Sequence, residues 1–347
     1  MAVTYSGREY KVAVGLHTSN FGIATVAGTM YHMRLDTVND IDFSGADNST
    51  QIQRLGQRVL RPTDYVTSHS ATNTAGGSYT WGWDNYIPEN EGLLHALLTS
   101  NIEVADVTGA VAVAGTAATN SYSYNAANNF DLALQIQNPD AAKGRYMYSA
   151  ICDSLTLSMD AGTNGGKLTT SGTFFGGYRP IQYDNSSITI ADTEVSSYGG
   201  HQNIFEMDNV SIGGNAVICK SFSVTITNPV ARAGHQGIAE AAPGSTGTVF
   251  GQPDAYVRAG NITVEGSMTV KYDDNSRGLL DNWLNGTSTA IIFGDAAVGA
   301  ATCFIGIPAA KFTGYNKDYA AEDGVYIELP FIGTAEGAGA LIDLKIT

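Results

Sequence analysis

The sequence predicts an all-β protein with one or two short helices. Three observations lead there. Four segments alternate apolar and small polar residues with period two, a pair of these segments recurs further along the chain, and the composition favours turns over charge. Of the 347 residues 43% are hydrophobic and 15% charged, where ordinary soluble domains carry roughly 25% charged residues. Such a surface must be polar through Ser, Thr, Asn and Gly, and it repels like copies weakly, which suits self-association.

Taken in order, residues 1–78 mix short apolar stretches with turn residues and include the charged segment Gln51–Arg61, reading as an N-terminal arm with the first strands. Residues 79–347 hold the main β domain, and the two parts are expected to form one structural unit. An aromatic cluster, Tyr79, Trp81, Trp83 and Tyr86, leads into Pro88, two glutamates and then Leu93, Leu94, Leu97 and Leu98. Proline and acidic residues ahead of apolar positions at helical spacing predict a helix. The cluster reads as a core plug beside that helix, or as a platform for a sugar. Val104–Asn129, dominated by Ala, Gly, Thr and Asn, reads as a strand and a loose connection.

From Arg145 the pattern sharpens. In ICDSLTLSMD, Leu155 and Leu157 oppose Ser154, Thr156 and Ser158. After a turn at Gly162, Asn164, Gly165 and Gly166, Lys167, Thr169 and Ser171 oppose Leu168, Thr170 and Phe174, which completes a hairpin. The first strand then recurs: ICKSFSVTIT, Ile218–Thr227, matches Ile151–Ser158 with Cys219 standing 67 residues after Cys152. Its partner is NITVEGSMTVKYDD, where Ile262, Val264, Met268 and Val270 oppose Asn261, Thr263, Glu265, Ser267 and Thr269. The repeated hairpins thus span 151–176 and 218–272. Asn228–Gly260, with three prolines, reads as a long loop reaching a neighbour. A short helix with the stripe Leu279, Leu280, Trp283 and Leu284 follows. Strands near Ile291–Phe293 and Thr302–Ile307 and the segments VYIELPFIGT and ALIDLKIT close the chain, Pro330 implying an edge or a strand end.

The charge balance limits partners. With 18 Lys plus Arg against 33 Asp plus Glu, the chain carries −15, which opposes attachment to phosphate backbones. Three cysteines, Cys152, Cys219 and Cys303, lack ligand spacing and read as small core residues. The start lacks a basic segment followed by an apolar one, and no run approaches the roughly 18 apolar residues that span a bilayer, so the expectation is a chain made and folded in a cytoplasm without membrane contact. The sequons at Asn48, Asn185, Asn209, Asn261 and Asn285 then read as chance matches.

No catalytic, cofactor-binding or metal residues are predicted. The six histidines (His17, His32, His69, His95, His201 and His235) are scattered without HExxH, and there is no GxSxG, Walker or GxGxxG pattern. Asp40, Asp42, Ser44 and Gly45 open like a calcium loop, but Gln51 stands where the bidentate glutamate belongs. Asp273 and Asp274 read as the cap region of the second helix.

In its order of elements the chain resembles the tail tube (major tail) proteins of long-tailed bacteriophages. The carrying segments are EGLLHALL, the hairpin AICDSLTLSMDAGTNGGKLTTSGTFFGG, the later pair CKSFSVTITNP and PDAYVRAGNITVEGSMTVKYDDNSRGLLDNWLNG, and the ending FIGIPAAKF with VYIELPFIGTAEGAGALIDLKIT. The resemblance implies a tail-tube-type β-sandwich or barrel that polymerises into rings, stacked as the conduit for DNA ejection in the virion tail, with other tail proteins at the tube ends. DNA would pass without specific binding. Six copies at −15 each would give a ring charge of about −90, which keeps a sliding polymer unheld.

Under that reading Ser154, Thr156, Ser158, Thr169, Ser171, Ser223, Thr225, Thr263, Glu265 and Ser267 line the channel, the alternative being a plain solvent face. A hexamer is preferred to a trimer with pseudo-sixfold symmetry because the repeat covers only paired strands. The loops Tyr178–Val217 and Asn228–Gly260, with the N-terminal arm, are assigned to contacts within and between rings. The competing readings are another virion protein, such as a decoration or distal tail protein, and a carbohydrate-binding β-sandwich.

Overall fold

The computed structural model describes residues 9–16, 30–42, 50–51, 65–66, 69–70, 73–74, 79–88, 91–101, 132–137, 143–178, 180–184, 202–233, 236–238, 249–252, 255–296, 303–319, 324–334 and 341–346. Its strands in chain order are β1 (Lys11–Leu16), β2 (Tyr31–Met33), the two-residue β3 (Thr50–Gln51), β4 (Tyr65–Val66), β5 (His69–Ser70) and β6 (Asn73–Thr74), then β7 (Tyr79–Tyr86). Helix α1 (Glu91–Asn101) follows, then β8 (Leu132–Gln137), β9 (Lys143–Asp160), β10 (Thr169–Gly176), β11 (Ile181–Asp184), β12 (Asn209–Ile212) and β13 (Asn215–Ala216). The rest is β14 (Cys219–Thr227), β15 (Val230–Ala233), β16 (Gln236–Ile238), β17 (Val249–Gln252), β18 (Ala255–Arg258), β19 (Thr263–Lys271), helix α2 (Leu279–Leu284), β20 (Thr289–Gly294), β21 (Cys303–Phe312), β22 (Asn316–Asp318), β23 (Tyr326–Gly333) and β24 (Asp343–Ile346). The expected strand in Val104–Asn129, most of Gln51–Arg61 and the inner part of the calcium-like loop lie outside the described residues.

The all-β prediction holds. A 16-stranded antiparallel sheet dominates, and β9, 18 residues long, organises it. The first part of β9 pairs with β8 and β11, and its second part with β10 and β14. The central run is therefore β7-β10-β9-β14-β19-β23, antiparallel throughout.

The side of this run that carries Leu155, Leu157, Phe222, Val224, Ile226, Val264 and Met268 is buried. Phe222 of β14 stacks on Phe293 of β20 at 4.4 Å and on Phe331 at 6.2 Å, so β20 packs face to face with the central strands. Nearer the chain's start, α1 buries Leu93, Leu94, Leu97 and Leu98 in the same core cluster as β1, β8 and β9.

The repeat has a geometric meaning. An offset of 67 maps Leu157 onto Val224, and these two residues face each other across the β9–β14 ladder. The duplicated hairpins are thus neighbours in one sheet, related by a pseudo-twofold through that pair. The pairs Cys152↔Phe174 and Cys219↔Val270 correspond, and in each the register slips at the next residue, leaving Asp153 and Lys220 as bulges. In both copies the cysteine thiol donates to the carbonyl of the serine two residues on, Ser154 at 3.5 Å and Ser221 at 3.1 Å. Cys152 and Cys303 are buried and Cys219 is half-buried.

A bulge frees backbone groups that must find partners elsewhere. At the first bulge the last turn of α1 provides them. Ser100 Oγ accepts from Cys152 N at 3.1 Å, and Asn101 Nδ2 donates to the carbonyls of Cys152 and Ile226 at 3.0 and 3.3 Å. Asn228 donates from its backbone to the Asp153 carbonyl at 2.7 Å and from Nδ2 to the Asn101 carbonyl at 3.0 Å.

Five sequence expectations need correction. Tyr178–Val217, read as a loop, contributes β11, β12 and β13 to the main sheet, because β11 pairs with β9 and β12 with β20. Asn228–Gly260 is not simply a loop: β15 pairs with β18 and β16 with β17, making a hairpin that extends the β14–β19 pair. Pro330 lies inside β23, at the point where the strand on its far side is interrupted between Phe312 and Asn316, so its missing N–H breaks no ladder there. The stripe of α2 is only half buried, with Leu279 covered but Leu280 and Leu284 exposed. Asp273 does not cap α2, whose N-cap is Gly278; its Oδ1 instead accepts from Asn275 N and Ser276 N in the preceding turn, each at 2.9 Å.

Candidate functional site

Directly opposed residues of an antiparallel ladder point to the same side of the sheet. Applied to β10, β9, β14, β19 and β23, the register generates four rows. The first is Thr173, Ser154, Thr227 and Thr263. The second runs Ser171, Thr156, Thr225, Glu265 and Ile332, with Lys311 beyond. The third is Thr169, Ser158, Ser223, Ser267 and Pro330, and the fourth, from β9 onward, is Asp160, Ser221, Thr269 and Glu328. All ten residues singled out in the sequence fall on this one face, opposite the buried side.

The face is wet but not idle. Glu265, Glu328 and Lys311 are exposed, most of the hydroxyl residues are half-buried, and Thr169 is buried. Thr156 and Thr225 share a hydrogen bond of 2.8 Å across β9 and β14, and Ser158 and Thr169 share another of 2.8 Å across β9 and β10. These two pairs satisfy four of the hydroxyls sideways, while Glu265, Asp160 and Glu328 add negative charge to the same face. Thr173 donates to Asp153 Oδ1 at 2.6 Å at one end. Burial raises the Asp153 pKa, and bonds from Thr173 and nearby backbone pull it part of the way back.

At the other end a cleft of about 290 Å³ is lined by Asp160, Asp318, Glu328, Tyr326 and Lys220 among others. Lys220 Nζ lies 4.6 Å over the Tyr326 ring in that cleft. Its charge is therefore set among three carboxylates and an aromatic face, which makes it a poor grip for phosphate.

Sequence reasoning missed Asp160, Thr173, Ser221, Thr227 and Glu328 on this face, and left Thr269, which it had set on the wet side of its strand, out of the channel-lining set. Extending the alternation by two residues in each strand reaches most of them. The bulges also had a signal: apolar Cys152 and Leu155 stand three apart, as do Cys219 and Phe222, a spacing that breaks a period of two.

Other candidates look different in the structure. Tyr79, Trp81, Trp83 and Tyr86 are all buried at 2–3% exposure, with Trp81 and Trp83 against Phe174 at 5.5 and 5.0 Å, so the cluster is a core plug and offers no sugar platform. Asp40, from the calcium-like segment, is paired with Arg145 at 2.8 Å. No group of three or more His, Cys, Asp or Glu residues able to hold a metal ion is found among the described residues. No helix among them is long and apolar enough to cross a membrane. Burial raises all three thiols, Cys219 and Cys303 to about 12, so none is poised as a nucleophile at neutral pH.

Compared with known proteins, residues 49–335 match a family model described as phage tail tube protein. No curated protein matches the chain.

Proposed function

Because the chain belongs to the phage tail tube protein family, we propose that six copies close into a ring, that rings stack into the tail tube, and that the hydroxyl face of β10, β9, β14 and β19 lines the bore through which DNA is ejected. Membership makes the chain a structural component of the virion tail, a tube-forming protein and not a member of an enzyme family. The observation that carries the finer reading is the coincidence of all ten predicted residues on one four-strand face. A bore for a sliding polyanion calls for small hydroxyls in the company of carboxylates, and Asp153, Asp160, Glu265 and Glu328 stand with them.

The two hairpin repeats share one sheet and one core instead of forming separate domains, which favours six single copies over three duplicated ones. The pairing of β1 with β8 in the main sheet supports residues 1–78 and 79–347 acting as one unit. The β15–β18 and β16–β17 hairpin, the segment 178–217 and the N-terminal arm are assigned to contacts within and between rings. Host-cell cytoplasm is the place of synthesis, and no catalytic step, cofactor or metal is part of this function. Negative-stain imaging of the recombinant protein over a concentration series tests it. Uniform hollow rods are expected, and a stable monomer at high concentration would contradict the proposal.

A further inference from the structure

The β9–β10 ladder ends at the pair Ala150↔Gly176, and β11 takes up the same side of β9 only from Tyr146↔Ile181. Between them β9 passes from one set of partners to the other. Ser149 is fully buried there with φ at +47°, a left-handed conformation unusual for a residue with a side chain. The next rung would join Gly177 N to Ser149 O. Instead a hydroxyl from a distant strand occupies it: Tyr256 Oη accepts from Gly177 N at 2.6 Å and donates to Ser149 O at 2.7 Å.

Tyr256 belongs to β18, at the root of the hairpin that leaves the sheet through Thr227 and returns through Thr263. Its ring stands edge-on to Phe175 at 5.8 Å and to Tyr178 at 6.4 Å, and Tyr178 packs on Tyr148 at 5.4 Å. Among the described contacts, this bridge, the ring packing and the bond from Ala259 N to the Pro229 carbonyl hold the root.

We infer that Tyr256 is a positioning residue for assembly: its hydroxyl completes the broken β9–β10 rung and thereby fixes the direction in which the β15–β18 hairpin meets a second copy of this chain. The inference rests on the tube reading. A contact element held in one pose binds better than one that samples several, since apparent affinity falls by the fraction of time spent in the competent pose. Tyr256→Phe keeps the ring and removes the bridge between Gly177 N–H and Ser149 C=O.

The test compares the full-length chain with Tyr256→Phe in two measurements, amide exchange on the soluble subunit and the critical concentration for rod formation well below the melting temperature. The expected result is faster exchange at Gly177 and across Val230–Ala233 and Ala255–Arg258, unchanged exchange in β14 and β19, and a critical concentration raised on the order of tenfold. Phe175→Leu, which keeps the hydroxyl and removes one supporting ring, is expected to move both readings in the same direction by a smaller factor, and it decides the matter if Tyr256→Phe does not fold. Unchanged critical concentration, or exchange that rises uniformly through the core, overturns the inference. If the unsubstituted chain forms no rods, the tube reading fails and this inference fails with it; rods from the unsubstituted chain with an unaltered variant would sink the inference alone.

Discussion

The two sides of the β10-β9-β14-β19 sheet are made by the same strands and answer to different constraints. One side presents Leu155, Leu157, Phe222, Val224, Ile226, Val264 and Met268, each at 2% exposure or less, and the other presents Ser, Thr and carboxylates. The buried side must fill a fixed volume against β20, so its residues are large and shape-matched. The wet side has no such volume to fill. Its preference for small hydroxyls is therefore not required by folding, and the proposed bore accounts for it.

The largest effect should come from breaking the buried side. Phe222→Ala removes a ring stacked on Phe293 and close to Phe331, and is expected to lose about 3–5 kcal/mol in a denaturant titration. A loss under about 1 kcal/mol would mean the two layers are not packed as described.

Next comes the join between the sides, where α1 serves the bulge. Asn101→Ala strips donors from the carbonyls of Cys152 and Ile226 and is expected to cost about 2–3 kcal/mol. A neutral outcome in the same titration would show the bulge to be satisfied without α1.

On the wet side, Thr156→Val with Thr225→Val exchanges one hydrogen bond for better strand formers and should leave stability within about 0.5 kcal/mol. A loss comparable to Phe222→Ala would erase the contrast between the two sides.

The smallest effect is a pH dependence. Asp153 has its pKa raised above the ordinary 3.8 by burial, so between that value and the raised one the folded chain holds a proton the unfolded chain has released. Its contribution to stability therefore falls as pH rises through this window. Asp153→Asn should flatten that part of the melting-temperature profile, leaving a similar contribution from Asp343, also raised by burial. An unchanged profile would show Asp153 to be as well solvated folded as unfolded.

Much of this contrast was legible in the sequence because an alternating strand writes its two sides at odd and even positions. Leu155, Thr156 and Leu157 declare β9, and Val224 and Thr225 declare β14, without reference to any partner. Helix α1 was equally plain from Leu93, Leu94, Leu97 and Leu98. What alternation cannot state is which strands are neighbours. The repeat announced two hairpins, but only the Leu157↔Val224 pairing joins them into one four-strand face.

The β15–β18 pairing was hidden for a different reason. Its strands are four residues long and flanked by Gly and Pro, so alternation has too few positions to declare them. The assignment of Pro330 to an edge failed because the interruption that tolerates it lies in another segment, between β21 and β22.

The central claim is that the hydroxyl face lines a closed bore, and a single introduced thiol tests it most directly. Cys219 and Cys303, with thiols raised to about 12, and buried Cys152 should give almost no background at neutral pH. With Thr156→Cys or Thr225→Cys in place, a bulky maleimide is expected to label the soluble subunit readily and the assembled rods hardly at all. Equal labelling of subunit and rod would place this face on the outside and contradict the account.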